Sequence, residues 1–187
     1  LEERSEDLYQ HTDCAIIGQL SGSGFGDIAH VPGLPVRHPK GIRAVADWYM
    51  ATVLYPDYIK GIFDLQLEIA MQNLKLYRQA VGERISAIFV SGTDFGAQMG
   101  SFISPKAYRE IYKPYHKKIN DWIHENTKWK TFYHSCGSMV DLYDDFVEAG
   151  VDIVNPVQIS ANGMAPDALK DRWGDKLVFW EGGVDTQ

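Results

Sequence analysis

The fold is decided by a strand–loop–helix–strand unit, residues 130–157, which has the sequence KTFYHSCGSMVDLYDDFVEAGVDIVNPV. Two short apolar stretches, 130–134 and 151–157, flank a helical segment that ends at Gly150. Ser138 and Asp141 have the spacing of a capping box, so we expect that helix to begin at Ser138. Strands buried on both faces of a parallel sheet are short and continuously apolar. The unit therefore predicts two parallel strands joined by a helix.

The same alternation extends over the whole chain of 187 residues. Further strands are predicted at 14–20, 85–90 and 177–180, and further helices at 41–54, 58–81 and 166–173. A long helix is predicted to begin at Ser104, with Pro105 in its first turn, and Pro114 should kink or split it. Strands alternating with helices predict an α/β fold with a parallel sheet, strands in chain order and helices outside.

Composition excludes several classes of protein. No apolar run approaches the roughly 20 residues of a membrane helix, and no secretion signal opens the chain. A net charge of -7 argues against nucleic-acid binding, and the basic cluster of Lys113, Lys117 and Lys118 is predicted to be a solvent-exposed helix face. With only two cysteines, Cys14 and Cys136, we expect a reduced, cytoplasmic protein.

A glycine-rich stretch, residues 22–27, follows the first predicted strand. A dinucleotide-binding fingerprint would need a third glycine at position 27 and a helix opening there. Asp27 occupies that position, and Pro32 and Pro35 follow closely. We therefore expect residues 21–38 to be an active-site loop. No G-x-S-x-G motif is present, which argues against serine acyl transfer.

The most informative motif is His134-Ser135-Cys136-Gly137, where the third predicted strand ends. Residues two apart in an extended strand point to the same side, so His134 and Cys136 can converge. Imidazole nitrogen and thiolate sulfur are the usual zinc donors, but a catalytic zinc normally has three protein ligands. A packed histidine beside a structural cysteine is the alternative. Cys14 is a poor third ligand because it begins its strand, at the opposite pole.

Polar residues also follow the other predicted strands: Asp94 follows the second, Asn155 and Gln158 end the fourth, and Glu181 ends the fifth. Each could singly be explained by loop capping or turn chemistry. The carboxyl ends of parallel strands are where such folds build their sites. Because all four lie at that pole with His134, we expect one shared site.

The chain resembles the uroporphyrinogen decarboxylase superfamily over nearly its whole length. The resemblance is strongest at Phe102-Ile103-Ser104-Pro105, Lys113-Pro114-Tyr115-His116-Lys117-Lys118-Ile119, His134-Ser135-Cys136-Gly137, Gly150-Val151-Asp152 and Gly182-Gly183-Val184-Asp185. It implies a (β/α)8 TIM barrel with the site at the carboxyl ends of the strands. A complete barrel takes about 250 residues, so we expect an incomplete barrel here. Residues 1–187 would form one partial domain of a longer protein.

The superfamily contains cofactor-free decarboxylases of uroporphyrinogen and zinc-dependent corrinoid methyltransferases. The methyltransferases resemble this chain in their His-x-Cys pair, which a more distant cysteine completes; here that cysteine is expected beyond Gln187. The decarboxylases typically have Gly-Asn-Leu-Asp-Pro where this chain has residues 182–186. The resemblance therefore implies zinc held by His134 and Cys136, and methyl transfer between a methylated corrinoid and a thiol or related acceptor.

The resemblance also implies roles for the other candidates. Asp94 and Glu181 would be catalytic, orienting substrate or taking a proton, while Gln158, Asn155 and Tyr133 would bind a small-molecule substrate. The methylated corrinoid would be carried by a corrinoid-binding partner protein. The alternatives are a cofactor-free decarboxylase and a non-catalytic relative that binds a tetrapyrrole or another small ligand.

Overall fold

Five strands and seven helices alternate along residues 1–26, 42 and 44–182, the part of the chain described by a computed structural model. The strands are β1 (Ile17–Gln19), β2 (Ala87–Ser91), β3 (Lys130–His134), β4 (Ile153–Asn155) and β5 (Val178–Phe179). The helices are α1 (Glu2–His11), α2 (Val45–Leu54), α3 (Pro56–Val81), α4 (Pro105–Ile111), α5 (Lys113–Asn126), α6 (Tyr143–Glu148) and α7 (Pro166–Trp173). None of these helices is both long and apolar enough to cross a membrane.

The strands form one parallel sheet in the order β1-β2-β3-β4-β5. The predicted α/β class, the parallel pairing and the chain-order topology are thus confirmed. Five adjacent parallel strands are consistent with part of a (β/α)8 barrel. In the register of β3 with β4, His134 stands beside Asn155. This pairing brings the two carboxyl ends together.

Prolines and caps begin the helices largely as predicted. The Ser104 side chain accepts a hydrogen bond from the Ala107 N–H at the start of α4. The chain interrupts the long predicted helix at Tyr112, so that Pro114 lies in the first turn of α5. The predicted helix 41–54 is observed as α2 from Val45, while residues 41 and 43 lie outside the described residues.

The predicted helix start at Ser138 is wrong, because α6 begins only at Tyr143. The Ser138 hydroxyl donates instead to the Asn162 carbonyl oxygen at 2.7 Å, and residues 140–142 form turns. Ser138 therefore ties its loop to a distant segment and does not cap a helix. The end of α6 is as predicted, with Gly150 at φ 80° just beyond it.

The predicted exposed basic face is correct for Lys117 and Lys118 and wrong for Lys113. The Lys113 side chain is 16% exposed and donates to Asp145 at 2.7 Å, with Glu148 as a second partner. Asp145 itself is 2% exposed. The buried carboxylate of Asp145 on α6 therefore attracts the Lys113 side chain away from solvent.

The two faces of the sheet are filled differently. Between sheet and helices lies a large aromatic core that includes Tyr108, Tyr133 and Phe146. On the other face a small cluster joins Ala87, Phe132 and Ile153, with Phe89 packed against it. Since side chains alternate along a strand, Phe132 and His134 share the inner face, while Tyr133 faces the helices.

Candidate metal centre

His134 and Cys136 lie at the carboxyl end of β3, where the following loop touches the loop after β2. Two glycines permit this contact. A Cβ on Gly137, which has φ 80°, would lie 2.4 Å from the Gly96 carbonyl carbon. A Cβ on Gly96 would lie 2.4 Å from the Cys136 carbonyl oxygen. Any side chain at either position would push the loops apart and carry Asp94 away from Cys136.

The close approach creates a three-donor cluster, which consists of Asp94, His134 and Cys136. The Cys136 Sγ lies 3.4 Å from His134 Nε2, and that nitrogen lies 3.7 Å from Asp94 Oδ1. All three donor atoms lie within 4.8 Å of one another. Zinc–ligand bonds of about 2.0–2.3 Å at tetrahedral angles separate neighbouring donors by about 3.3–3.6 Å. The donor types suit zinc, and the separations of 3.4 Å and 3.7 Å lie in or close to this range.

Hydrogen bonds at and beside Asp94 hold this residue of the cluster in place. The Cys136 N–H donates to Asp94 Oδ1 at 2.7 Å. Phe95, which follows Asp94, donates its N–H to the Ser135 hydroxyl at 2.9 Å. The Tyr49 hydroxyl donates to the Asp94 carbonyl oxygen. Asp94 is thus fixed on both its main chain and its side chain by neighbouring loops and by α2.

A second set of contacts supports His134 from the β4 side. His134 Nδ1 lies 2.9 Å from Asn155 Oδ1, and Asn155 Nδ2 donates to Glu181 Oε2 at 2.8 Å. The Gly137 N–H donates to Gln158 Oε1, so Gln158 braces the turn that follows His134. Asn155, Gln158 and Glu181 therefore join the three-donor cluster at one edge of the sheet.

Tyr133 is the one predicted site residue that the structure does not bring to this edge. It is 1% exposed, and its hydroxyl donates to Asn120 Oδ1 on α5 at 3.0 Å. Its ring packs against the His116 ring with centroids 5.1 Å apart. Tyr133 neighbours His134 in the strand, and consecutive side chains point to opposite faces. Its position makes it part of the helix-side core.

The thiol of Cys136 is held in its neutral form. Partial burial first, and then the charge of Asp94 and a hydrogen bond with it, raise the pKa of this thiol to about 11. A bare site would therefore contain very little thiolate at neutral pH. A bound cation would reverse this balance, since coordination deprotonates a thiol. The electrostatics of the site therefore favour the binding of a cation.

Cys14 takes no part in this site. It is exposed and precedes the first residue of β1, at the opposite end of the strands from Cys136. Sequence analysis missed Tyr49, Ser135 and Gly96. These three residues act through contacts between segments that are distant in sequence. Only Gly96, two residues after Asp94, gave a sequence signal, because glycine permits a close approach of two chain segments.

The predicted loop 21–38 is described only in part. Phe25 is fully buried and packs against Phe63 and Tyr115 with ring centroids 5.3 Å apart. The beginning of this stretch therefore anchors the core. Residues 27–38 lie outside the described residues, as do residues 183–185 of the motif that follows β5.

Comparisons with known proteins agree with the barrel architecture. The family model of uroporphyrinogen decarboxylase (URO-D) matches residues 40–162, more than half of the chain. No curated protein sequence matches significantly. A solved methyltransferase from Methanosarcina mazei is similar with a TM-score of 0.50 and 16% identity, covering 81% of this chain and 39% of that one. At that identity the likeness concerns the fold alone.

A 7,8-dihydropteroate synthase from Vibrio fischeri ES114 is also similar, with a TM-score of 0.42 and 17% identity, covering 92% of this chain and 46% of that one. That score is too low to carry an argument. The chain spans less than half the length of either solved structure.

Proposed function

Since the chain belongs to the uroporphyrinogen decarboxylase family, we propose that it acts as a zinc-dependent methyltransferase at the three-donor cluster. Its reaction moves a methyl group between a methylated corrinoid on a partner protein and a thiol or related small-molecule acceptor, in the cytoplasm. The observation that carries this proposal is the convergence of Asp94, His134 and Cys136, whose donor atoms all lie within 4.8 Å of one another.

His134 and Cys136 would hold the metal through Nε2 and Sγ, and Asp94 would supply a carboxylate oxygen as a further ligand. Zinc, when bound, lowers the pKa of an acceptor thiol so that a thiolate is available at neutral pH. A carboxylate has two oxygens and several lone pairs. Asp94 can therefore also accept the proton of the acceptor thiol, while Glu181 orients the substrate at the same edge.

In the transfer itself, the acceptor sulfur forms a bond to the methyl carbon. The cobalt–carbon bond breaks, and its electron pair stays on the corrinoid cobalt. The thiol proton goes to Asp94, so charge and atoms balance without an added oxidant or reductant. The chain's own residues bind the acceptor, orient it and remove this proton.

The test compares Cys136→Ser with Cys14→Ser in the full-length protein. Cys14 is an exposed cysteine at the opposite end of the strands and serves as the matched control. We expect Cys136→Ser to lose most bound zinc and the rate of methyl transfer from methylcobalamin to a thiol, while Cys14→Ser retains both. A Cys136→Ser protein with full zinc content and turnover would contradict the proposal. Release of CO2 from uroporphyrinogen, or ligand binding without turnover, would favour the two alternatives.

A further inference from the structure

We propose that Asn155 and Glu181 form an amide relay that holds His134 in the neutral tautomer able to bind a metal through Nε2. Both act as positioning residues in this role. The inference rests on the proposed metal site, but the relay is a property of the chain's own hydrogen bonds. It can therefore be measured in protein without metal.

The direction of the Asn155 amide is fixed by Glu181. The Glu181 carboxylate can only accept hydrogen bonds, and an amide donates only through its nitrogen. The contact of 2.8 Å with Glu181 Oε2 therefore requires the NH2 end of Asn155 to face Glu181. Its carbonyl end is left facing His134 Nδ1 at 2.9 Å.

The orientation of the amide in turn selects the His134 tautomer. An amide oxygen only accepts, so Nδ1 must carry the proton of the neutral imidazole. Nε2 then keeps its lone pair, which faces Cys136 Sγ at 3.4 Å and Asp94 Oδ1 at 3.7 Å. Metal-ligating histidines are commonly held this way, by a partner that accepts from the other ring nitrogen.

The negative charge of Glu181 is what prevents the opposite arrangement. Turning the Asn155 amide round would place its oxygen against the carboxylate, so that two acceptors would face each other. A glutamine at position 181 could donate to that oxygen and stabilise the turned amide. The Asn155 NH2 would then donate to His134 Nδ1, which favours the proton on Nε2 and removes the metal-binding lone pair.

The backbone conformation of Glu181 allows a second test of the relay. Glu181 is the only non-glycine residue with positive φ in the described part of the chain, at 71°. Glycine adopts this conformation without the steric penalty of a side chain. Glu181→Gly should therefore relax the backbone while it removes the carboxylate. If Glu181 has only a structural role, Glu181→Gly should leave zinc affinity unchanged. If Glu181 positions His134, Glu181→Gly should weaken zinc binding.

The first test measures the tautomer of His134 in metal-free, full-length protein by long-range 15N–1H NMR. We expect the proton on Nδ1 in the wild type and a shift toward Nε2 in Glu181→Gln. Glu110→Gln removes an exposed carboxylate on α4 and serves as the matched control, with no change expected. A wild-type protein with the proton on Nε2, or a Glu181→Gln protein unchanged from wild type, would overturn the relay.

The second test measures zinc affinity by competition with a chromogenic chelator. We expect Glu181→Gln and Glu181→Gly to weaken binding by about tenfold or more, with Glu181→Gly at least as heat-stable as the wild type. Affinity within twofold of wild type in both variants would refute the positioning role. Failure of the wild type to bind zinc would instead count against the proposed function and leave the NMR result standing as evidence on the relay.

Discussion

Replacing His116 with phenylalanine should remove a large part of the acid sensitivity of the fold. The His116 ring is fully buried, and its Nε2 has no hydrogen-bond partner among the described residues. Burial lowers the pKa of this imidazole from 6.5 to about 3. The folded protein therefore holds a neutral ring at a pH where the unfolded chain would bind a proton.

The size of the effect follows from proton linkage. The contribution is fully present above pH 6.5 and is lost as the pH falls toward 3, because only the unfolded chain gains a proton in that window. With these two pKa values, folding loses about 2 kcal/mol between pH 8 and pH 5 from this residue. Below pH 3 the loss approaches about 5 kcal/mol.

Urea unfolding of the full-length protein at pH 8 and pH 5 measures this difference. His116→Phe should lose about 2 kcal/mol less than the wild type between the two pH values. Tyr108→Phe is the matched control: it removes the 2.9 Å hydrogen bond to His116 Nδ1 but keeps the ring buried, so its acid sensitivity should persist. Parallel losses in wild type and His116→Phe would refute the reasoning.

Three further predictions concern the loops and strand of the candidate site. Gly96→Ala should lower both zinc affinity and the melting temperature, because its Cβ would meet backbone atoms of the β3 loop, whereas Gly100→Ala, with open space around it, should change neither. In metal-free Cys14→Ser protein, the alkylation rate of Cys136 should rise about tenfold per pH unit up to about pH 11, and added zinc should suppress it; a plateau near pH 8 would contradict this. Tyr133→Phe should cost about 1 kcal/mol in urea unfolding and leave zinc affinity unchanged; a large loss of zinc would return Tyr133 to the site.

The sheet and the helix boundaries marked by proline could be predicted because they depend on local signals. Apolar runs of strand length predicted the five parallel strands, and Pro114 predicted the break between α4 and α5. Ser138 shows the limit of such signals. Its local spacing suited a cap, but its hydroxyl is used by Asn162, 24 residues away in sequence.

The candidate site was predictable where strand geometry alone determines it. The spacing of His134 and Cys136 implied their convergence, and the same two-residue period would have placed Tyr133 on the opposite face. Asp94 was assigned as a catalytic residue, but its position as a third donor was not foreseen. That position depends on the contact of Gly96 with Gly137, which lie 41 residues apart in sequence and have no local signature.

Alternate residues of strand β3 have different roles: one set packs against the helices and stabilises the fold, and the other leads into the candidate site. This division affects how readily the protein can acquire new activities. Thr131 and Tyr133 face the helices, where Thr131 donates to the Gly150 carbonyl oxygen at 2.8 Å and Tyr133 donates to Asn120. His134 and Cys136 lie at the open end of the strand, where His134 Nδ1 contacts the Asn155 side chain and the Cys136 N–H donates to Asp94. Substitutions at the strand tip can therefore change the candidate site while the scaffold that carries it stays folded. A strand built this way lets one barrel explore several reactions by point mutation.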